Sequence, residues 1–253
     1  MSGKIFIGTS GYNYPNWGHG AFYPENLRER EWLEYYCTKF TTVELNVTFY
    51  RLPNESAFQG WYRRTSVKFT FAVKGSRFIT HIKRLRESGP SLKLFFGRTL
   101  LLKEKLGVVL WQLPSSFTID MKMLNAFIKL LKRYPSRNAF EFRDKSWLKE
   151  DVYDLLGEHE MTLCDHDWPG QSATCPETLP FLYVRRHGSS SLYQGSYSDR
   201  QLIREAQRAF RCTKEGKDVF VYFNNTSEGD AIKDGLRLKT LFSRIESGKK
   251  EGR

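Results

Sequence analysis

The sequence predicts a closed (β/α)8 barrel of the TIM type, on three observations. Eight short β-rich segments recur along the chain, stretches with helical spacing of apolar residues lie between most of them, and 253 residues is the size expected of eight such units. Strand followed by helix, repeated, implies parallel strands joined by right-handed crossovers. An open doubly wound sheet usually has fewer strands.

In order, the β-rich segments are KIFIGTS (4–10), TTVELN (41–46), KFTFAVKG (68–75), LGVVLWQLP (106–114), NAFEFR (138–143), MTLCD (161–165), FLYVRRHG (181–188) and DVFVYFNN (218–225). Helical spacing is clearest in EWLEYYCTKF (31–40), MKMLNAFIKLLKRY (121–134), WLKEDVYDLLGEH (147–159) and QLIREAQRAF (201–210). The sixth unit is the exception. DWPGQSATCPETLP (167–180) carries Pro, Ser and Thr where a crossover helix would stand, so it is expected to be irregular. No linker or low-complexity tract interrupts the chain. One domain is expected over 1–247, followed by a basic, frayed tail, GKKEGR (248–253).

Composition narrows the class. Hydrophobic residues make up 40% and aromatics 15%, enough to fill a large core. Forty basic against 28 acidic side chains give +12, which favours anionic partners such as nucleic acid or phosphorylated small molecules. A basic surface that binds nothing would give the same count. The four cysteines, Cys37, Cys164, Cys175 and Cys212, form no CxxC pair, so reduced thiols are expected rather than a structural zinc or a disulfide framework. There is no signal pattern and no apolar run of the roughly 18 residues that a membrane span requires, so the expected localisation is cytoplasmic, with no membrane partner.

Parity along the strands selects candidate site residues, because side chains two apart share a face. In FEFRDKSW (140–147), Phe140 and Phe142 go to the helices, and Ala139, Glu141 and Arg143 to the barrel axis. Likewise Val43 and Leu45 face out while Glu44 and Asn46 face in; Phe69, Phe71 and Val73 face out while Lys74 faces in; and Val109, Trp111 and Leu113 leave Gln112 inside. Leu163 and Asp165 share a face, as do Tyr183, Arg185 and His187, and Tyr222 and Asn224. The polar member comes last in each segment, which places it at the C-terminal mouth where barrel enzymes build their sites. Mutual neutralisation is the structural alternative: Lys74, Arg143 and Arg185 balance Glu44, Glu141 and Asp165. Burying each ion costs several kcal/mol, so stability alone is a poor reason for such a cluster.

The sequence resembles the YecE-like family, the domain of unknown function numbered 72. The resemblance rests on GTSGYNYPNW (8–17), FYP (22–24), FTTVELNVTFYRLP (40–53), FAVKGSRFITH (71–81), LGVVLWQLPSSF (106–117), FEFRDKSW, YVRRHG (183–188) and VYFNN (221–225), in the family's order over almost the whole chain. It implies a (β/α)8 barrel with a polar mouth and supplies no reaction. The family's barrel is similar to that of endonuclease IV, a zinc-dependent enzyme of abasic-site repair, which is likeness of fold only. The chain departs from the family at Arg186, where a smaller or apolar residue is commoner. By parity this is an outward position.

Residue chemistry favours anion recognition. Arginine offers a planar fork and lysine a point charge to phosphate or carboxylate, and a neighbouring carboxylate or imidazole can exchange protons. Lys74, Arg143 and Arg185 are therefore expected to hold an anionic group, with Glu44, Glu141, Asp165 and His187 as candidate acids and bases. Asn46, His81, Gln112, Trp147, Asn224 and Tyr12 complete the expected binding set. His187 could instead simply hydrogen-bond a neighbouring carboxylate. No cofactor is expected. Three cations oppose a protein-held metal, although a phosphorylated substrate could bring a divalent ion. In CDHDW (164–168), Asp165 and His166 would point to opposite faces.

The loops beyond the mouth are aromatic (Tyr12, Tyr14, Trp17, Phe22, Tyr23, Phe49, Tyr50, Trp147, Trp168, Tyr193, Tyr197). Most of these are expected to pack loops, and some to stack bases or sugars. GTSG (8–11) is at most a weak anion-binding signal. Four readings remain open: an enzyme using acid/base chemistry on a phosphorylated or nucleic-acid-derived substrate, a nucleic-acid binder without turnover, a metal-assisted phosphodiesterase, and a purely structural or partner-binding barrel. The oligomeric state is open as well.

Overall fold

The computed structural model describes residues 2–248; Met1 and residues 249–253, with most of the basic tail, lie outside the described residues. Eight strands form in the expected places: β1 (Ile5–Thr9), β2 (Thr42–Leu45), β3 (Thr70–Lys74), β4 (Leu106–Gln112), β5 (Arg137–Glu141), β6 (Thr162–His166), β7 (Leu182–Arg186) and β8 (Val219–Phe223). Every ladder is parallel, in the order β1-β8-β7-β6-β5-β4-β3-β2. The seam between β1 and β2 carries a single bridge, Ser10 with Glu44, and the Gly11 N–H donates to the Glu44 carbonyl at 2.8 Å. Gly8 allows this approach, since a Cβ there would lie 2.3 Å from the Thr42 carbonyl oxygen. The barrel is nearly closed.

Around it stand α1 (Trp32–Lys39), α2 (Val47–Tyr50), α3 (Glu55–Arg64), α4 (Gly89–Thr99), α5 (Met121–Leu131), α6 (Glu150–Glu158), α7 (Asp199–Lys214) and α8 (Asp230–Glu246). Short polar side chains start several of them: Asn54 caps α3, Asp120 caps α5, and Ser198 forms a reciprocal capping box with Gln201 at the start of α7. Residues 167–181, between β6 and β7, contain no helix. This segment turns back instead, and Ala173 exchanges two backbone hydrogen bonds with His166. A cavity of about 380 Å³ lies beside the irregular segment, lined by Asp165, Arg186, Glu205 and Arg208 among others.

The period-two pattern sorts the core into two layers. Val43, Phe71, Val73, Val109, Trp111, Phe140, Phe142 and Leu163 pack outward with the helices. Phe6, Ala72, Val108, Leu110, Ala139, Cys164, Phe181, Tyr183, Phe220 and Tyr222 fill the barrel. The Phe6 and Phe220 rings stack 4.7 Å apart at the N-terminal end of the barrel. The interior is therefore apolar below and, one strand-step above, charged. No helix among the described residues is long and apolar enough to cross a membrane.

Candidate active site in the barrel mouth

The inward residues at the strand ends converge on Arg185 of β7. Its Nη2 donates to Glu44 Oε1 of β2 at 2.9 Å, and its Nη1 donates to Glu141 Oε2 of β5 at 2.6 Å. Glu44 also accepts from Ser10 Oγ at 2.7 Å and from the Tyr183 hydroxyl at 2.6 Å, so both of its oxygens are occupied. Glu141 is gripped on its other oxygen by Arg143. All three central groups are almost fully buried. Burial raises the Glu141 pKa, but the Arg143 and Arg185 guanidiniums outweigh it and hold the carboxyl well below the usual range. Both carboxylates are acceptors committed to arginine.

His187 lies over this layer. Its Nε2 is 3.2 Å from Arg143 Nη2 and 3.2 Å from Arg185 Nη1. Guanidiniums only donate, so Nε2 accepts and the proton sits on Nδ1, 3.4 Å from Asp167 Oδ1. Burial, only partly offset by Asp167, brings the His187 pKa down to about 4. The ring is neutral at pH 7.

Arg143 and Lys74 retain slight exposure, 7% and 8%. The Arg143 guanidinium lies 3.3 Å from the centroid of the Trp168 ring. Lys74 Nζ sits 4.1 Å from the centroid of the Phe49 ring, and among the described residues no carboxylate pairs with it. Burial, reinforced by the nearby Arg185, brings its pKa down to about 7. Beside it stands His81, on a π-helical turn (Phe78–Ile82), with its ring 5.0 Å from that of Phe49. The Thr80 hydroxyl donates to the Ser76 carbonyl at 3.2 Å, so it accepts from His81 Nδ1 at 2.8 Å, which leaves the His81 Nε2 lone pair free. Burial, with Lys74 alongside, brings the His81 pKa down to about 4.

The family model described as "Protein of unknown function DUF72" matches residues 6–251. The chain belongs to this family. Among relatives of the DUF72 chain, the UPF0759 protein YunF of Bacillus subtilis (strain 168) is 27% identical over 96% of this chain and 96% of its own length. The crystal structure of a DUF72 family protein from Thermotoga maritima MSB8 superposes with a TM-score of 0.83 at 29% identity, covering 95% of this chain and 99% of that one. A DUF72 family protein from Enterococcus faecalis V583 gives 0.77 at 19% identity over 94% and 95%, a likeness of fold.

The barrel gathers Glu44, Lys74, His81, Glu141, Arg143, Arg185 and His187 in the mouth. Gln112 and Asn224 are buried at the ends of β4 and β8. Asn46 stands at the start of α2 with its Oδ1 buried and unpartnered. Three expected members belong elsewhere. Asp165 shares the outward face of Leu163, and there it binds Arg186 Nη1 at 2.8 Å, Arg208 Nη1 at 2.6 Å and the Cys175 N–H at 3.1 Å. Burial raises its pKa, but Arg186 and Arg208 more than compensate and lower it. Trp147 is a packing residue, stacked on Phe142 and donating to the Phe117 carbonyl at 2.6 Å. Tyr12 is tied to Trp61 and Tyr23.

His166 was not among the expected site residues, yet it takes the inward position next to the outward Asp165. Its Nε2–H donates to the Phe142 carbonyl at 3.0 Å, and its ring centroid lies 6.1 Å from that of His187. Cys164, two residues earlier and inside the barrel, is the signal that identifies this face. Among the described residues no three His, Cys, Asp or Glu side chains are grouped as a metal would require. Glu44 and Glu141 already serve Arg185.

Proposed function

We propose that the mouth binds an anionic small molecule through Arg143 and Lys74 and carries out proton-transfer chemistry on it. One observation carries this reading. Arg143 and Arg185 together balance Glu44 and Glu141, and Lys74 stands beyond them as a further cation with no carboxylate partner among the described residues. A buried excess of cation is costly unless a counter-charge arrives, and a phosphate or carboxylate supplies one. The carboxylates, held as arginine partners, are poor proton carriers. His81, with a free Nε2 lone pair, is the better one, since His187 Nε2 is held by both Arg143 and Arg185.

A second reading has support of its own. The same rim exposes Tyr50, Phe78 and Ile82 next to Arg77 and Arg84, the mixture of flat apolar and cationic groups that grips single-stranded nucleic acid. Calorimetric titration with inorganic phosphate, phosphorylated sugars, mononucleotides and short oligonucleotides separates the two. For a small anion, we expect affinity with a shallow salt dependence that falls about tenfold to a hundredfold in Arg143→Ala, the equivalent of one charged hydrogen-bond pair. Binding confined to oligonucleotides and falling steeply with log salt would favour the second reading. Unchanged affinity in Arg143→Ala would refute the first.

A further inference from the structure

The proposed anion site leaves open what Lys74 does beyond supplying charge. A lysine set against a carboxylate has its charged form favoured and is kept from acting as a nucleophile. Lys74 has no such partner among the described residues: its Nζ lies on the Phe49 ring, Glu44 and Glu141 are committed to Arg185 and Arg143, and the residue is 8% exposed. Its backbone is fixed as the last residue of β3, and its carbonyl accepts from the Thr48 hydroxyl at 2.6 Å, so the side chain is aimed from a rigid base. His81, beside it, has an uncommitted Nε2.

We propose that Lys74 is an amine nucleophile that forms an imine with an aldehyde or ketone bearing an anionic group. The proposal rests on the anion-binding reading above, in which Arg143 holds the anionic end. The neutral Nζ lone pair attacks the carbonyl carbon; the C–N bond forms as the C=O π electrons move to oxygen, which takes a proton while the attacking nitrogen gives one up. The carbinolamine then loses its oxygen as water with a second proton, and the protonated imine remains. Overall one amine, one carbonyl and one proton give one iminium and one water. His81 Nε2 is placed to relay these protons. A lysine free of carboxylates and beside other cations is the environment in which an amine becomes reactive near neutral pH. The Lys74 pKa of about 7 agrees with that environment.

The test uses the wild-type chain, so no variant need fold. It is incubated at pH 7 with a limiting amount of pyridoxal 5′-phosphate and cyanoborohydride, and the reduced adducts are mapped by peptide mass spectrometry. We expect Lys74 to be labelled about tenfold or more faster than the exposed Lys122 and Lys132, whose ammonium groups are mostly charged at this pH. Pyridoxal without the phosphate should label Lys74 more slowly, and inorganic phosphate should protect it. Labelling of Lys74 no faster than of Lys122 overturns the nucleophile. If phosphate binding is nevertheless lost in Arg143→Ala, the anion site stands without it. Fast labelling of Lys74 that is indifferent to the probe's phosphate supports the nucleophile and refutes the anion site.

Discussion

Arg185 and Arg186 are neighbours in sequence and point to opposite faces of β7, each into a cluster of carboxylates. Inside, Arg185 bridges Glu44 and Glu141. Outside, Arg186 bridges Asp165 and Glu205, and Arg208 of α7 takes the second Asp165 oxygen. The outer cluster sets two arginines against two carboxylates and is self-contained. The inner one sets Arg143 and Arg185 against two carboxylates and then adds Lys74 and two neutral imidazoles at an open end. Equal chemistry on two faces of one strand thus serves two ends: the outer network locks α7 and the irregular segment after β6 to the sheet, and the inner one is left incomplete.

The sharpest way to break the comparison is to remove each arginine in turn. Arg185→Ala leaves Glu44 without a cation and Glu141 with Arg143 alone, and is expected to cost about 3–5 kcal/mol in urea unfolding, the penalty for unpaired buried charge. A loss below about 1 kcal/mol would mean that the inner network is not desolvated as the geometry indicates. Arg186→Ala is expected to cost less, about 1–3 kcal/mol, because Arg208 still holds Asp165 and Glu205 is 9% exposed where Glu44 is 0%. If the outer variant proves the more damaging of the two, the assignment of structural and functional roles is reversed.

A third effect is in the pH dependence, and it belongs to the mouth. His81 and His187 have folded pKa values of about 4 against 6.5 for a free imidazole. Between these values the unfolded chain binds protons that the folded chain does not, so their contribution is complete above pH 6.5 and is lost as the pH falls toward 4. The outer carboxylate Asp165, lowered from 3.8, adds the same sign of slope only at lower pH. Thermal melts from pH 7 to pH 4 should therefore show a decline that flattens in the double variant His81→Gln/His187→Gln. An unchanged slope would locate the titration elsewhere.

Alternation along the strands was sufficient to place Glu44, Lys74, Glu141, Arg143, Arg185 and His187 inside, because a period of two allows only two faces and the apolar partners mark the outer one. The same rule, applied to β6, assigns Asp165 to the outer face with Leu163. Expecting it in the mouth followed its position at the strand end rather than its parity. Trp147 and Tyr12 were expected there from residue type alone, and each found a closer partner in the outer core or in the loop packing.

By itself the sequence determined the eight strands, their faces, the irregular sixth connection and the concentration of charge at one end, since each follows from spacing within a few residues. Only the tertiary structure decided who pairs with whom. Arg185 meets Glu44 from 141 residues away and Glu141 from 44, and Lys74 is left facing the Phe49 ring. Those choices depend on closing the sheet, which brings distant strand ends around one axis and lets the buried carboxylates be claimed by arginine first.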